Sequence, residues 1–301
     1  LNPDHLLGGA FPIDAEAARS ALTEKIGKPL GLSDTEAARG IHILVNSNMG
    51  RALRAVSSER GRDPRRFTLL AFGGGGPIHA AGLAESLGIK SIVIPPSPGV
   101  FSAFGLLFAD LEHHFVQTHF KEFRQLDFEV VNRILYKLRK QGQTILQSEG
   151  FAPDYQQIVT QLDMKYVGQT SELTVGMPQS KFSSETLEKI GISYGIEHEK
   201  TYGYQANDPF QLVNIRVIAR GISKYDRVPK KMSSIEPVSV PESSERDVYF
   251  DLQNKWLKTP VVGRPTLEGW VNGPLVIEEY DSTTVVPPNW KASVDSLSNI
   301  L

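Results

Sequence analysis

The stretch from Phe67 to Gly88 constrains the fold more than any other part of the chain. Phe67-Thr68-Leu69-Leu70-Ala71-Phe72 is an uncharged apolar run, which predicts a buried strand. Gly73-Gly74-Gly75-Gly76-Pro77 follows at once, and residues 78–87 then read as a helix stopped by Gly88. Ser91–Ile94 predicts a second short strand, ending in Pro95-Pro96-Ser97-Pro98-Gly99, and Val100–Phe108 a second helix. Upstream, Asp14 is placed to cap a helix running to about Ile26, and Ser33 with Glu36 has capping-box spacing. Apolar residues recur at helical spacing from Ala37 to Val56, predicting one long helix that runs on to about Arg60. Strands alternating with helices give an α/β class for residues 1–110.

Beyond Ala109 the pattern changes. His113–Thr118 reads as a strand, Asp127–Glu149 as an amphipathic helix, Gln157–Tyr166 and Ser171–Pro178 as paired strands, Ser183–Lys200 as a helix and Gln211–Ile222 as a long strand. This α+β region covers 111–225. Residues 226–246 are rich in Pro, Ser and charge and read as a linker. Residues 247–301 form short strands with turns at Asn254, Gly263, Gly273 and Pro287-Pro288-Asn289, a small β region. The 32 Lys and Arg against 34 Asp and Glu argue against a broad nucleic-acid surface. No apolar run approaches the roughly 20 residues of a membrane helix. With no Cys, disulfides, thiolate zinc sites and cysteine nucleophiles are excluded, and a cytoplasmic setting is expected. The chain starts Leu1-Asn2-Pro3-Asp4, without Met, as a piece of a longer parent would.

Strand, glycines and helix together can bind a phosphate, because the backbone comes close to a ligand and the helix start offers unpaired N–H groups. The run is neither G-x-G-x-x-G nor a P-loop, so a plain strand-to-helix turn stands beside the binding reading. His79, in the first turn after the glycines, is either a ligand contact or a packing residue. Asn46 and Asn48 interrupt an otherwise apolar helix, where Asn is mildly unfavourable. His113 and His114 point to opposite faces of a strand and do not share an ion, so no metal site is expected. Asp163 and Lys165 share a strand face at spacing two and are expected to pair. Glu278, Glu279 and Asp281 are expected at a solvated turn or a partner interface. No nucleophile–His–Asp set is legible, and no catalytic residue is assigned.

Phe72-Gly73-Gly74-Gly75-Gly76-Pro77-Ile78-His79-Ala80 resembles the FGGAGPLHA signature of the hydantoinase A/5-oxoprolinase family. So do Asn46-Ser47-Asn48-Met49 with Val56–Gly61, Val93–Gly105 (VPPxPGVxSAxG), Asp163–Gln169 (DxRYxGQ), Tyr202-Gly203-Tyr204 and Gly273–Pro288. The resemblance spans the chain and is to an N-methylhydantoinase A-like subunit of that family. It implies the second half of an actin-like ATPase domain, of the Hsp70 and sugar-kinase type, followed by the α+β and β regions. It implies ATP and Mg²⁺ as cofactors, a B-type hydantoinase subunit as partner, and a cyclic amide of hydantoin or 5-oxoproline type as substrate. An acetone-carboxylase-like carboxylase subunit, or a docking module without activity of its own, are the alternatives. By the match, Gly74, Gly75, Gly76, His79, Asn46 and Asn48 face the nucleotide, with Gly75 standing where the family usually has Ala. The family's N-terminal DxGGTxTD phosphate motif is not in this sequence, so the chain resembles the C-terminal portion of the subunit and is expected to hydrolyse ATP poorly alone. Self-association is left open.

Overall fold

A computed structural model describes residues 2–206, 208–224, 244–250 and 255–301. The expected turn at Asn254 and most of the linker at 226–246 lie outside the described residues. The exception is residues 244–246, which begin a strand. The chain forms two compact units. One contains residues 1–58, 63–107 and 229–301, and the other residues 59–62 and 108–228.

In the first unit, Asp14 accepts the Ala17 amide (2.8 Å) and starts α1 (Ala15–Leu22). A π turn (Thr23–Gly27) and the one-turn α2 (Lys28–Leu30) follow, and Gly31 ends them in the left-handed region. The capping box at Ser33 and Glu36 forms and opens α3 (Asp34–Val56). Its hydrogen bonds from Ser33 hold the Glu36 carboxyl below the ordinary carboxylate range. The helix ends at Val56, with a separate 3₁₀ turn at Ser58–Arg60.

The apolar run at 67–72 is a strand only over β1 (Leu69–Leu70), parallel to β2 (Ile92–Val93). It is not the buried strand expected: Leu70 is 47% exposed and Phe72 42%. Among the described residues only β2 flanks it, so the apolar run lacks the cover that a central parallel strand has. Between these strands lies α4 (Gly76–Leu87), stopped by left-handed Gly88. After β2, Ser97 adopts φ +49, a 3₁₀ turn spans Pro98–Val100, and α5 covers Phe101–Leu106.

The tail contributes β7 (Ser244–Phe250), β8 (Lys255–Val262), β9 (Val271–Asn272), β10 (Leu275–Glu278), β11 (Thr283–Val286) and β12 (Lys291–Ala292). Four of them form a sheet in the order β11-β10-β8-β7, parallel at β8–β10 and antiparallel elsewhere, while β9 and β12 pair separately. Tail residues Leu267, Leu275, Ile277, Val286, Ala292 and Ile300 share one core with Ala71, Ala80 and Ile94. Arg264, 5% exposed, fastens that junction. Its Nε and Nη2 donate to both Glu279 carboxylate oxygens (2.6 and 2.7 Å). Its remaining N–H groups reach the carbonyls of Ile94 (3.1 Å), Pro95 (2.9 Å) and Ser298 (2.6 Å). Glu278 is buried too and accepts from Arg246 (2.7 Å), and Asp281 accepts the Gly99 amide (2.8 Å). The acidic group at 278–281 is therefore a set of internal anchors, not a solvated turn.

The second unit is an antiparallel sheet, β3-β6-β4-β5, made of β3 (Leu111–Glu122), β4 (Gln156–Tyr166), β5 (Leu173–Met177) and β6 (Phe210–Gly221). Helices α6 (Phe128–Ser148) and α7 (Ser184–Tyr202) share its core. Asp127 and Ser183 cap them. Asp163, 1% exposed, does not pair with Lys165. It accepts from Arg216 Nε (2.7 Å), Asn214 (2.9 Å) and Thr174 (2.8 Å), while Lys165 lies over the Phe120 ring. Residues two apart on a strand are about 6.6 Å apart, whereas cross-strand neighbours come within about 5 Å.

The three tryptophans, Trp256, Trp270 and Trp290, all lie in the tail, so their fluorescence follows the first unit. Arg264→Ala strips a buried carboxylate of its cation and three carbonyls of their donor. The expected loss is about 3–5 kcal/mol in urea unfolding monitored by that fluorescence. An unchanged midpoint would mean that the guanidinium does not hold the junction.

Candidate functional site

The site grows from the end of β1. Gly73 has φ +87, a left-handed conformation that side chains rarely adopt, and its amide donates to Pro98 O (2.7 Å). That bond ties the glycine turn to the turn at Ser97–Gly99. The second turn is held in its place by Asp281: a Cβ on Gly99 would sit 2.7 Å from the Asp281 carboxylate. Ser282 Oγ donates to Gly74 O (3.3 Å). Three sequence segments more than 180 residues apart at their extremes thus brace one turn.

Gly75 takes the N-cap position of α4 without any side-chain cap, and Pro77 sits in the helix's first turn. The Gly76 amide donates to Gly73 O (3.2 Å). The amides of Gly74 and Gly75 have no protein acceptor among the described residues. A Cβ at Gly75 or Gly76 would meet no atom within 4 Å, so the space in front of them is open. The outcome is a turn with spare donors at the positive end of a 12-residue helix, a setting that attracts an anion.

One turn into α4, His79 Nδ1 lies 2.8 Å from Asn46 Oδ1 on α3. Because an amide oxygen only accepts, Nδ1 carries the proton, and Nε2 keeps a lone pair. Asn46 fits against α4 because residue 82 is glycine: a Cβ there would lie 2.7 Å from its amide nitrogen. His42, one helical turn before Asn46, stacks on the His79 ring (centroids 4.8 Å apart, planes 20° apart). Burial, and then the neighbouring His42, push the His79 imidazole below its ordinary value of 6.5, so it stays neutral at pH 7.

The residues singled out from sequence therefore separate. His79 and Asn46 meet at the crossing of α3 and α4. Gly74, Gly75 and Gly76 form the turn at the start of the same α4. Asn48 takes no part in either: its Oδ1 accepts from Arg51 (2.8 Å). Asp281, Ser282, Gly99 and His42 were not read as site residues. The i, i+4 spacing of His42 and Asn46 was the available signal for His42, since it puts both on one helix face. Asp281 stood out in the acidic group and in the Gly273–Pro288 stretch, but nothing local pointed to the Gly99 amide as its partner. A cleft of about 1020 Å³ opens beside this crossing. Its wall includes His42, Asn46, Gly50, Gly82, Arg54 and Trp256, but none of Gly74, Gly75, Gly76, His79 and Asn48. Among the described residues no three His, Asp or Glu side chains converge to hold a metal ion. His113 instead meets Glu149 (2.9 Å) and His114 meets Glu112 (3.2 Å). No described helix is long and apolar enough to cross a membrane.

Comparison with known proteins agrees along the whole chain. An uncharacterized protein of Methanocaldococcus jannaschii is 36% identical over 97% of this chain. The caprolactamase subunit alpha of Pseudomonas jessenii is 33% identical over 96% of it. The chain spans 41% and 42% of the length of these two relatives. The crystal structure of the ATP-dependent caprolactamase from Pseudomonas jessenii superposes with a TM-score of 0.76 at 32% identity, over 98% of this chain and 44% of that one. Nucleotide-free acetone carboxylase superposes with 0.60 at 25% identity, over 100% of this chain and 44% of that one. Residues 1–115 match the hydantoinase/oxoprolinase domain and residues 121–300 the hydantoinase/oxoprolinase C-terminal domain, and the chain belongs to that family.

Proposed function

We propose that this chain is the C-terminal portion of an ATP-dependent amidohydrolase subunit that opens cyclic amides. The observation that carries the reading is the glycine turn, with two unpaired amides and no side-chain bulk at the start of α4. Gly74 and Gly75 hold phosphate oxygens of ATP through their unpaired backbone N–H groups, and Gly76, whose amide bonds Gly73 O, faces the nucleotide without side-chain bulk. His79, neutral and fixed by Asn46, presents Nε2 as an acceptor close behind them, and Asn48 stays a peripheral contact. Residues 1–110 are then the second half of an actin-like ATPase domain, 111–225 an α+β domain, 226–246 a linker and 247–301 a β subdomain bound back onto the first part. The described residues do not build a Mg²⁺ site, and no step is assigned to that ion.

The chemistry follows from the weakness of an amide as an electrophile. Transfer of the terminal phosphoryl group of ATP to the amide oxygen releases ADP and makes the amide carbon a good electrophile. One water adds to that carbon, the ring C–N bond breaks with the nitrogen leaving as the amine, and a second water cleaves the resulting acyl phosphate to the carboxylate and phosphate. A second, B-type subunit completes this step, and a cytoplasmic setting is part of the same proposal. The closer structural likeness to caprolactamase than to acetone carboxylase favours amide opening over ketone carboxylation.

Two measurements test the reading. The first is phosphate release by the full subunit with its partner, assayed against hydantoins, 5-oxoproline and lactams, and against ketones with bicarbonate. Gly75 has φ −98, open to any residue, so Gly75→Val folds normally by circular dichroism. Its expected turnover is lower by about 10²-fold, as a misplaced reacting group would give. Full activity in the variant would remove the phosphate role of the turn. Stimulation only by a ketone with bicarbonate would replace amide opening by carboxylation.

The second is a pH titration of His79 by imidazole ¹⁵N NMR. The midpoint is expected below 6.5, with the Nδ1–H tautomer above it. The unfolded chain then binds more protons in the window under 6.5. Stability is complete above 6.5 and is lost as pH falls through the folded midpoint. The urea midpoint should fall from pH 7 to pH 5 by less in His79→Gln than in the natural chain. A midpoint at or above 6.5 would contradict the neutral acceptor.

A further inference from the structure

We infer that the pocket between helix α6 and the segment leading into α7 binds the phosphate group of a small molecule. The pocket has a volume of about 430 Å³. Its wall carries Arg139, Lys140 and Lys181 together with Tyr136, and it contains no acidic side chain. The sequence of α6 explains the excess. Between Glu129 and Glu149 there is no Asp or Glu, while Arg133, Lys137, Arg139 and Lys140 all fall in that stretch. The chain as a whole is nearly balanced, so this helix is a local concentration of positive charge. Tyr136, Arg139, Lys140 and Gln143 recur at spacings of three and four, which puts them on one helix face.

Side-chain bonds build the pocket. Asn132 Nδ2 donates to Phe182 O (2.9 Å) and its Oδ1 accepts the Phe182 amide (2.8 Å), which fixes Lys181 beside α6. Arg139 is half-buried and lies across the same seam. Its Nε and Nη2 both donate to the buried hydroxyl of Thr160 (3.2 and 3.1 Å), and its Nη1 donates to Gln179 O (3.5 Å). Gln179 is held in turn by its side-chain amide, which donates to Ile158 O. Those bonds occupy three of the five N–H groups of Arg139. One is left on each terminal nitrogen, available to two oxygens of a single anion. Burial pushes the guanidinium below its ordinary pKa. No carboxylate among the described residues pairs with Arg139, Lys140 or Lys181. A guanidinium drawn out of water ordinarily faces a carboxylate. Here every partner is neutral, so the missing counter-charge comes from a ligand.

The donors select its chemistry. Three cations without an acidic neighbour match a dianion better than a single carboxylate. A carboxylate has two oxygens, enough for Arg139 alone. A phosphate has three that point in different directions, so Arg139 takes two and the lysines, compact charges on flexible stems, reach the third. Tyr136, 70% exposed, offers an apolar ring face to whatever the phosphate is attached to. Free phosphate and a phosphate monoester share this chemistry. The inference does not rest on the nucleotide reading.

The test is calorimetric titration of the full subunit with inorganic phosphate, phenyl phosphate and acetate. It is run on the natural subunit and on its Gly75→Val form, in which the glycine turn does not compete. Phosphate is expected to bind both, and acetate about 10-fold or more weakly than phosphate in the Gly75→Val form. Adding Lys140→Gln and Lys181→Gln should raise the phosphate Kd by about 10-fold or more, because charge-assisted hydrogen bonds are lost. Both lysines are exposed, so the fold should stay intact by circular dichroism. Arg139→Lys keeps the charge, loses the fork and should weaken binding by about 10-fold. Tighter binding of phenyl phosphate, brought down to the level of free phosphate by Tyr136→Ala, would identify a monoester. Equal binding of the two would identify free phosphate. A phosphate affinity untouched by the two lysine changes would overturn the inference, as would acetate binding as tightly as phosphate. Phosphate bound by the natural subunit and lost with Gly75→Val would overturn it too, while leaving the nucleotide reading intact.

Discussion

The first unit depends on one buried cation. Arg264 uses all five of its N–H groups, two on the Glu279 carboxylate and three on backbone carbonyls. Desolvating a guanidinium costs several kcal/mol and is offset only when every donor finds an acceptor. Here the acceptors come from two places far apart in sequence: Ile94 and Pro95 at the end of β2, and Glu279 and Ser298 in the tail. The guanidinium thus sets where the tail strands lie against the strand–glycine–helix segment. The apolar core around Ile277 and Ala80 supplies the bulk of the attraction, but it is non-directional. The ion pair supplies direction.

That placement decides the shape of the glycine turn. Asp281 lies two residues beyond Glu279, and Ser282 follows it. Once Arg264 has seated Glu279, the Asp281 carboxylate reaches the Gly99 amide and Ser282 reaches Gly74 O. Gly99 can lie that close because it has no Cβ. The turn is therefore shaped by its surroundings, and its own unpaired amides stay available. A loop that satisfied those amides internally would have no donors left for an anion. The same economy governs His79, whose proton is fixed on Nδ1 by Asn46 so that the other nitrogen remains an acceptor.

The second unit shows the same dependence on distant partners. His198 is fully buried; its Nδ1 lies 2.8 Å from Tyr204 O and its Nε2 2.7 Å from Gln169 Nε2. Gln169 Oε1 in turn accepts the Tyr166 amide (3.2 Å). Two motifs of the sequence, Asp163–Gln169 and Tyr202–Tyr204, meet in that network, around Tyr166, Tyr194 and Phe210. The Tyr194 hydroxyl is held protonated well above its ordinary range, first by burial. A motif match could bring both segments to notice, but not the histidine that joins them.

Local rules made much of the chain legible in advance. Asp14, Ser33, Asp127 and Ser183 marked four helix starts, because a cap is decided by a side chain and the amides two or three residues away. Gly88 marked a helix end by the same local geometry. The glycine turn was legible, as was the family, because both are carried by contiguous residues. What sequence reading missed depended on partners brought together by folding. The strand at 67–72 looked buried because hydrophobicity reports preference, while exposure depends on whether a neighbour covers the residue. Asp163 was matched to Lys165 by spacing, yet the sheet sets Asn214 and Thr174 directly opposite it and lets the Arg216 side chain reach across from the diagonal position. Glu278, Glu279 and Asp281 looked solvated because three carboxylates within four residues read as surface, and only the tertiary structure supplied Arg246, Arg264 and the Gly99 amide. The sequence by itself determined the long helices, their caps and the place of the glycine turn. The tertiary structure decided which buried charges are paired and which side chains shape the turn, because those depend on the through-space distances between residues that the chain holds far apart.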